Sequence, residues 1–208
     1  MLIRVGLTDF DRRFIDVEVG WPGSCGDARV FHNSYLGGIH REYLQSLGIN
    51  EKLVTGEDAD GNQTFEEIHG FILGDSGYAN TESFVTTYEV NQYQRNAVVR
   101  SLNERLSAAR SRVENAFGIL KKRFALLQRP LASASKGMPF TIQLIASLFV
   151  LHNFLIDCRD EWEMPSLPVT AKMGALLEDS EVVFTEAMVQ GSDRTRDVLL
   201  RHIHYTVA

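Results

Sequence analysis

Glu114 stands almost alone among cations. Residues 95–129 carry nine Lys and Arg (Arg95, Arg100, Arg105, Arg110, Arg112, Lys121, Lys122, Arg123, Arg129) against Glu104 and Glu114. The local net charge is +7, in a chain whose total is -6. Arg110, Glu114, Gly118 and Lys121 are spaced i, i+4, i+8 and i+11, so a helix puts them on one face. An acid so placed supports two readings. It is an ordinary Arg110–Glu114 ion pair on a solvated helix, worth ~0.3 kcal/mol. Or it holds a hard cation while the neighbouring Arg and Lys neutralise phosphates.

Asp75 is the second candidate. Phe71, Ile72 and Leu73 form a short continuous apolar run, the pattern of a strand buried on both sides. Gly74 ends that run, Asp75 follows, and Ser76-Gly77 turn the chain. An acid leaving a buried strand between glycines is where open sheets place functional groups. It is equally a turn aspartate that bonds its own backbone. Asp27 lies shortly after the Gly-Pro turn of residues 20–24 and reads either as a helix cap or as the rim of a site. Asp75 and Glu114 together could hold one or two divalent cations through oxygen. Such ions activate water, steady a leaving oxygen and cleave a phosphodiester.

The elements that must position these acids follow from composition and period. Residues 95–129 lack proline and are rich in Ala, Leu, Arg, Glu and Lys, which predicts one long helix. Leu102, Leu106, Val113, Phe117 and Leu120 give it an apolar stripe, with Ala109 bridging the wide gap. Ser101 and Glu104 have capping-box spacing, which predicts an ordered start at Ser101. Gly118 weakens the middle by about 1 kcal/mol relative to Ala. It either eases helix packing or lets another backbone or a substrate approach.

Upstream, LIRVGL and RFIDVEV read as two strands joined at residues 8–11, with Ile15, Val17 and Val19 on one buried face. Residues 27–36 predict a short helix and residues 39–47 a further helical turn or two. EDADGNQTFEE reads as a surface loop that does not match a calcium-binding EF-hand. Residues 80–94 read as a loop. Residues 140–156 are the most apolar run; they include Gln143, Ser147, His152 and Asn153, so they predict a buried helix rather than a membrane span. His152 in that helix reads as a satisfied core histidine. Short helices are expected over 182–189 and 193–204.

At 208 residues, 44% hydrophobic and 23% charged, the chain fits one globular domain with a tail: 1–157, then 158–208. The acidic total argues against nonspecific coating of nucleic acid but leaves room for a local basic groove. Cys25 and Cys158 form no zinc pattern, and the expected compartment is a reducing, intracellular one.

Four ordered blocks carry a resemblance: WPGSCGDARVFHNS, GFILGDSGYAN, LSAARSRVENAFGILKKRF and FVLHNFLID. Together they resemble the DDE endonuclease domain of Harbinger-type transposases and their domesticated nuclease relatives, over roughly residues 3–157. The resemblance implies an α/β, RNase H-like fold, a mixed sheet flanked by helices. It implies Mg²⁺ or Mn²⁺ as cofactor, DNA as substrate, a separate DNA-binding partner protein, no membrane, and action in the nucleus. Residue by residue, Asp75 matches the second catalytic acid and Glu114 the final one. Asp27 matches a family aspartate that could join them as a metal ligand. Arg110 and Lys121 match accompanying basic positions, and with Arg112 and Lys122 they are expected to contact DNA phosphates. His152-Asn153 match a structural block. The family's first acid lies in an upstream strand, in a D-G-T-H-like pattern that these residues do not contain. The sheet is therefore expected to start one strand short. The activity is expected to be weakened or absent, and the alternative is a catalytically dead remnant that binds DNA or protein. An incomplete sheet also predicts low solubility.

Overall fold

The computed structural model describes residues 3–89, 96–129, 137–160 and 194–207. The order is β1 (Ile3–Thr8), β2 (Phe14–Val19), α1 (Asp27–His32), α2 (Tyr35–Ser46), β3 (Asn50–Glu57), β4 (Gln63–His69), β5 (Ile72–Leu73), β6 (Phe84–Val85), α3 (Ala97–Arg123), α4 (Gly137–Asp157) and α5 (Arg194–Val207). The class is α/β, as the sequence indicates. Among the described residues the strands pair as three separate two-stranded ladders: β1–β2 and β3–β4 antiparallel, β5–β6 parallel. Residues 130–136 and the helix expected over 182–189 lie outside the described residues.

The chain divides into two compact units. One comprises residues 1–38 and 110–167, the other 39–109 and 168–208. The backbone of α3 runs from the second into the first, so each half of this helix answers to a different core.

In the first unit, Phe14 is the centre. Its ring meets Phe149 at 4.6 Å, Phe117 at 4.9 Å and His152 at 5.2 Å, all edge-on. Ala116, Leu120, Ile145 and Phe149 complete the cluster. The strand face expected from alternation holds at Val17 and Val19, which pack against this cluster, and fails at the strand's start: Phe14 is buried, whereas Ile15 is 46% exposed. The register shifts between Leu7 and Thr8, where Thr8 pairs with Phe14, and such a bulge turns the strand locally. Asn153 fastens α4 to this strand. Its Oδ1 accepts the Phe14 N–H and its Nδ2 donates to the Phe14 carbonyl, both at 2.8 Å. His152 is fully buried with Nε2 3.0 Å from the Arg12 carbonyl. Burial holds its pKa below the usual imidazole range; the Arg12 carbonyl opposes that shift and the charge of Arg123 adds to it.

At 21 residues α4 is longer than the 17-residue apolar run suggests, and by length and composition it could cross a membrane. Its packing is that of a core helix on one face. Thr141, Ile145, Phe149 and His152 are buried. The helix is not buried all round, however: Val150, Leu151 and Phe154 are exposed.

In the second unit, Val98, Val99, Leu102 and Leu106 of α3 pack with Val85 of β6 and Leu200 and Ile203 of α5. Residues 194–207 are therefore core-forming. The acidic stretch expected to be a loop is the tip of a hairpin instead: β4 begins at Gln63, within it. Asp58 shapes the turn by accepting N–H bonds from Asp60 and Asn62 at 2.9 and 2.8 Å. Those bonds hold its carboxyl below the ordinary carboxylate range. Arg201 of α5 closes on the hairpin through a two-pronged pair with Glu66, at 2.9 and 2.8 Å.

Asn96, not Ser101, caps α3. Its Oδ1 accepts the N–H groups of Val98 (2.9 Å) and Val99 (3.2 Å), two of the orphan donors of the first turn. Ser101 lies a turn inside and is buried.

Candidate metal and nucleic-acid site

Asp75 is placed by the end of β5. Ile72 and Leu73 pair with Phe84 and Val85, and the Gly74 N–H reaches the Val85 carbonyl at 2.9 Å. Gly74 is required here. A Cβ on it would stand 2.0 Å from the Phe84 ring, which in turn stacks on Tyr78 at 4.7 Å. The strand thus ends against an aromatic pair, and Asp75 emerges exposed just past it. Its Oδ1 accepts the Gly77 N–H at 2.9 Å, and the Tyr78 N–H reaches its carbonyl at 3.2 Å. So Asp75 both leaves a buried strand and bonds its own turn. Its Oδ2 accepts no hydrogen bond from the described residues. Sequence reasoning located the acid but missed the Gly74–Phe84–Tyr78 support. The one signal was a glycine set between an apolar run and the acid.

Glu114 lies in the first unit, 60% exposed at its side chain, with Oε1 2.8 Å from Nη1 of Arg110. The ion pair expected from the i, i+4 spacing therefore forms. Lys122 is exposed and Lys121 half-buried, and the Lys121 carbonyl accepts Nε2 of Gln128 at 2.8 Å. Gly118, Lys121 and Lys122 follow Glu114 along the same flank of the helix. Arg112 does not share that flank. It is about 160° around the helix from Glu114, with its guanidinium 4.2 Å over the ring of Phe10. Arg123 is withdrawn from solvent, its side chain 4% exposed and Nη2 3.3 Å from Asp160.

Asp27 is the first residue of α1, behind Gly26 at the cap position, and is exposed. No side chain caps this helix. Its carboxylate in the first turn suits the positive end of the helix. Asp27 and Glu114 belong to the first unit and Asp75 to the second. Among the described residues no cluster of three or more His, Cys, Asp or Glu side chains could hold a metal ion. Asp75 and Glu114 nonetheless offer exposed carboxylate oxygens, the hard donors that Mg²⁺ and Mn²⁺ prefer.

The DDE superfamily endonuclease model matches residues 5–153, a span that contains Asp27, Asp75 and Glu114. The chain belongs to this family. The chain is 30% identical over 159 residues to the Arabidopsis thaliana protein called ALP1-like, covering 74% of this chain and 35% of the relative. It is 27% identical over 157 residues to Antagonist of Like Heterochromatin Protein 1 of the same plant, covering 74% of this chain and 36% of that one. It thus spans about a third of the length of these curated relatives. No solved structure matches it. The family read from the four sequence blocks is the family found.

Proposed function

We propose that this chain carries the metal-binding acids and part of the DNA-binding surface of a DDE-type endonuclease of RNase H-like architecture, acting on phosphodiester bonds of DNA in the nucleus. The observation that carries the proposal is a family match running through both acids, one leaving a buried strand, the other exposed in the cationic half of α3. Asp75 and Glu114 are the catalytic acids. With Asp27 they are the groups that hold Mg²⁺ or Mn²⁺. When bound, such an ion supplies charge neutralisation and an activated water. The side chains of this chain do the rest. Asp75 presents Oδ2 while the Gly77 N–H fixes Oδ1. Arg110 pairs with the Glu114 carboxylate at its surface. Arg110, Lys121 and Lys122 neutralise substrate phosphates along one flank, and Arg112 contacts phosphate from its own side of the helix.

The family's first acid has no counterpart in these residues. Two or three carboxylates alone bind Mg²⁺ weakly. A separate DNA-binding partner protein supplies target choice. Plasmid nicking in Mn²⁺ tests the reading. Weak nicking lost in Asp75→Ala and in Glu114→Ala supports it, and nicking that survives both substitutions rules the site out. A second reading is a DNA- or protein-binding module without catalysis. It is favoured by the pairing of Glu114 with Arg110 and of Asp75 with its own turn. That reading predicts DNA binding that is indifferent to Mn²⁺.

A further inference from the structure

Gly118 sits within a 27-residue helix, five residues before its last residue, Arg123, and still a full turn inside, where glycine is a poor choice. Helical glycines are usually explained by a neighbour that fills the place of the missing Cβ. Such a neighbour exists at Gly37 of α2, where a Cβ would clash with the Phe31 carbonyl, whereas at Gly38 beside it a Cβ would meet nothing within 4 Å. At Gly118 a Cβ would meet no described atom within 4 Å, and the backbone there is not in the left-handed region. Neither packing nor backbone conformation among the described residues calls for glycine.

What surrounds the position is charge. Glu114, with its Arg110 partner, lies one turn before it, and Lys121 and Lys122 lie one turn after. The absent side chain leaves bare backbone between an acid and two cations. A strand of nucleic acid drawn to those cations can approach the helix more closely there than over any side chain.

We infer that Gly118 is a clearance point, where the phosphodiester backbone of DNA lies against α3 between Glu114 and Lys121. The inference rests on the DNA-binding reading above and adds a specific contact to it. The substituted side chain removes no charge and no donor, so its effect on binding is steric alone.

The test is a size series, Gly118→Ala and Gly118→Leu, in the full 208-residue chain. Thermal unfolding and the affinity for a short fluorescent duplex are measured side by side, with a Lys121→Ala/Lys122→Ala double variant as the reference for electrostatic binding. Ala and Leu are strong helix formers, so both substitutions raise Tm, by about 2–4 °C. Affinity falls in the same variants, about threefold for Ala and about tenfold for Leu, because each added group occupies the space of the ligand. Wild-type affinity in Gly118→Leu, with the double variant weakened, overturns the inference and leaves the DNA-binding reading standing. A fall in Tm for Gly118→Ala also overturns it, since it reveals a packing neighbour at that spot. Unchanged affinity in the double variant removes the DNA-binding reading itself, and the inference with it.

Discussion

The two halves of α3 are built to different rules. In the half before Arg110, apolar side chains at Val98, Val99, Leu102 and Leu106 are all buried, and Asn96 caps the start. Asn103 adds a clamp, donating to the Tyr88 carbonyl at 3.0 Å and accepting the Tyr88 N–H at 2.8 Å. In the half from Arg110 onward, Ala116, Ile119 and Leu120 are buried, while Glu114 and Lys122 face solvent. The first half is an anchor. The second is half anchor and half charged surface, and it carries a glycine that neither packing nor conformation among the described residues demands. Ala116 and Leu120 seat this half in the first unit's core, so Glu114 is fixed there without being buried.

This contrast can be broken most forcefully in the anchor. Leu102→Ala removes a side chain that is 2% exposed and is expected to destabilise by about 2–5 kcal/mol, read by urea unfolding. The same truncation at Lys122 should shift stability by no more than about 0.5 kcal/mol. Equal losses at the two positions would erase the distinction. Next in size is the cap. Asn96→Ala leaves two first-turn N–H groups without their acceptor and should lower stability by about 1 kcal/mol, while Ser101→Ala should do less.

A pH titration sharpens the comparison from the side of the first unit, where α3 and α4 pack around Phe14. His152 has a folded pKa below its unfolded value of about 6.5, so the unfolded chain binds the proton more readily. Its contribution is complete above that pH and is lost as pH falls below it toward the lowered folded value. Unfolding followed between pH 7.5 and 5 should show stability declining with acid, and His152→Gln should flatten the slope. The smallest effect is expected at the surface pair. Arg110→Ala should change stability by about 0.3–0.5 kcal/mol, as suits an exposed i, i+4 bridge. It should nonetheless weaken DNA binding, and more so at low salt.

Legibility in the sequence followed the same division. The exit of Asp75 from a buried strand was readable because three apolar residues and two glycines leave few other local structures. The Arg110–Glu114 pair was readable because helix spacing alone sets it. Ser101 misled because a capping-box pattern inside a helix looks the same as one at its start, and only burial of Ser101 separates the two. The β3–β4 hairpin was hidden by its acids. The Asp60-Gly61 turn signal was visible, but weak alternation in the flanking residues masked the strands. The exposed side of α4 was marked only by Gln143 and Ser147, which share its exposed stripe with Val150 and Phe154, and those two apolar residues masked the signal. Nor could alternation foresee that a bulge beside Thr8 would turn Phe14 inward.

The proposal that Asp75 and Glu114 serve one divalent ion rests on the family match through both acids. Mn²⁺ binding followed by electron paramagnetic resonance tests it without requiring turnover. The full chain, Asp75→Ala, Glu114→Ala and the double variant are titrated under one buffer. The account predicts one weak site in the parent chain, a clear loss of affinity in each single variant, and no further loss in the double. Wild-type affinity in either single variant, or independent losses that add in the double, would contradict it.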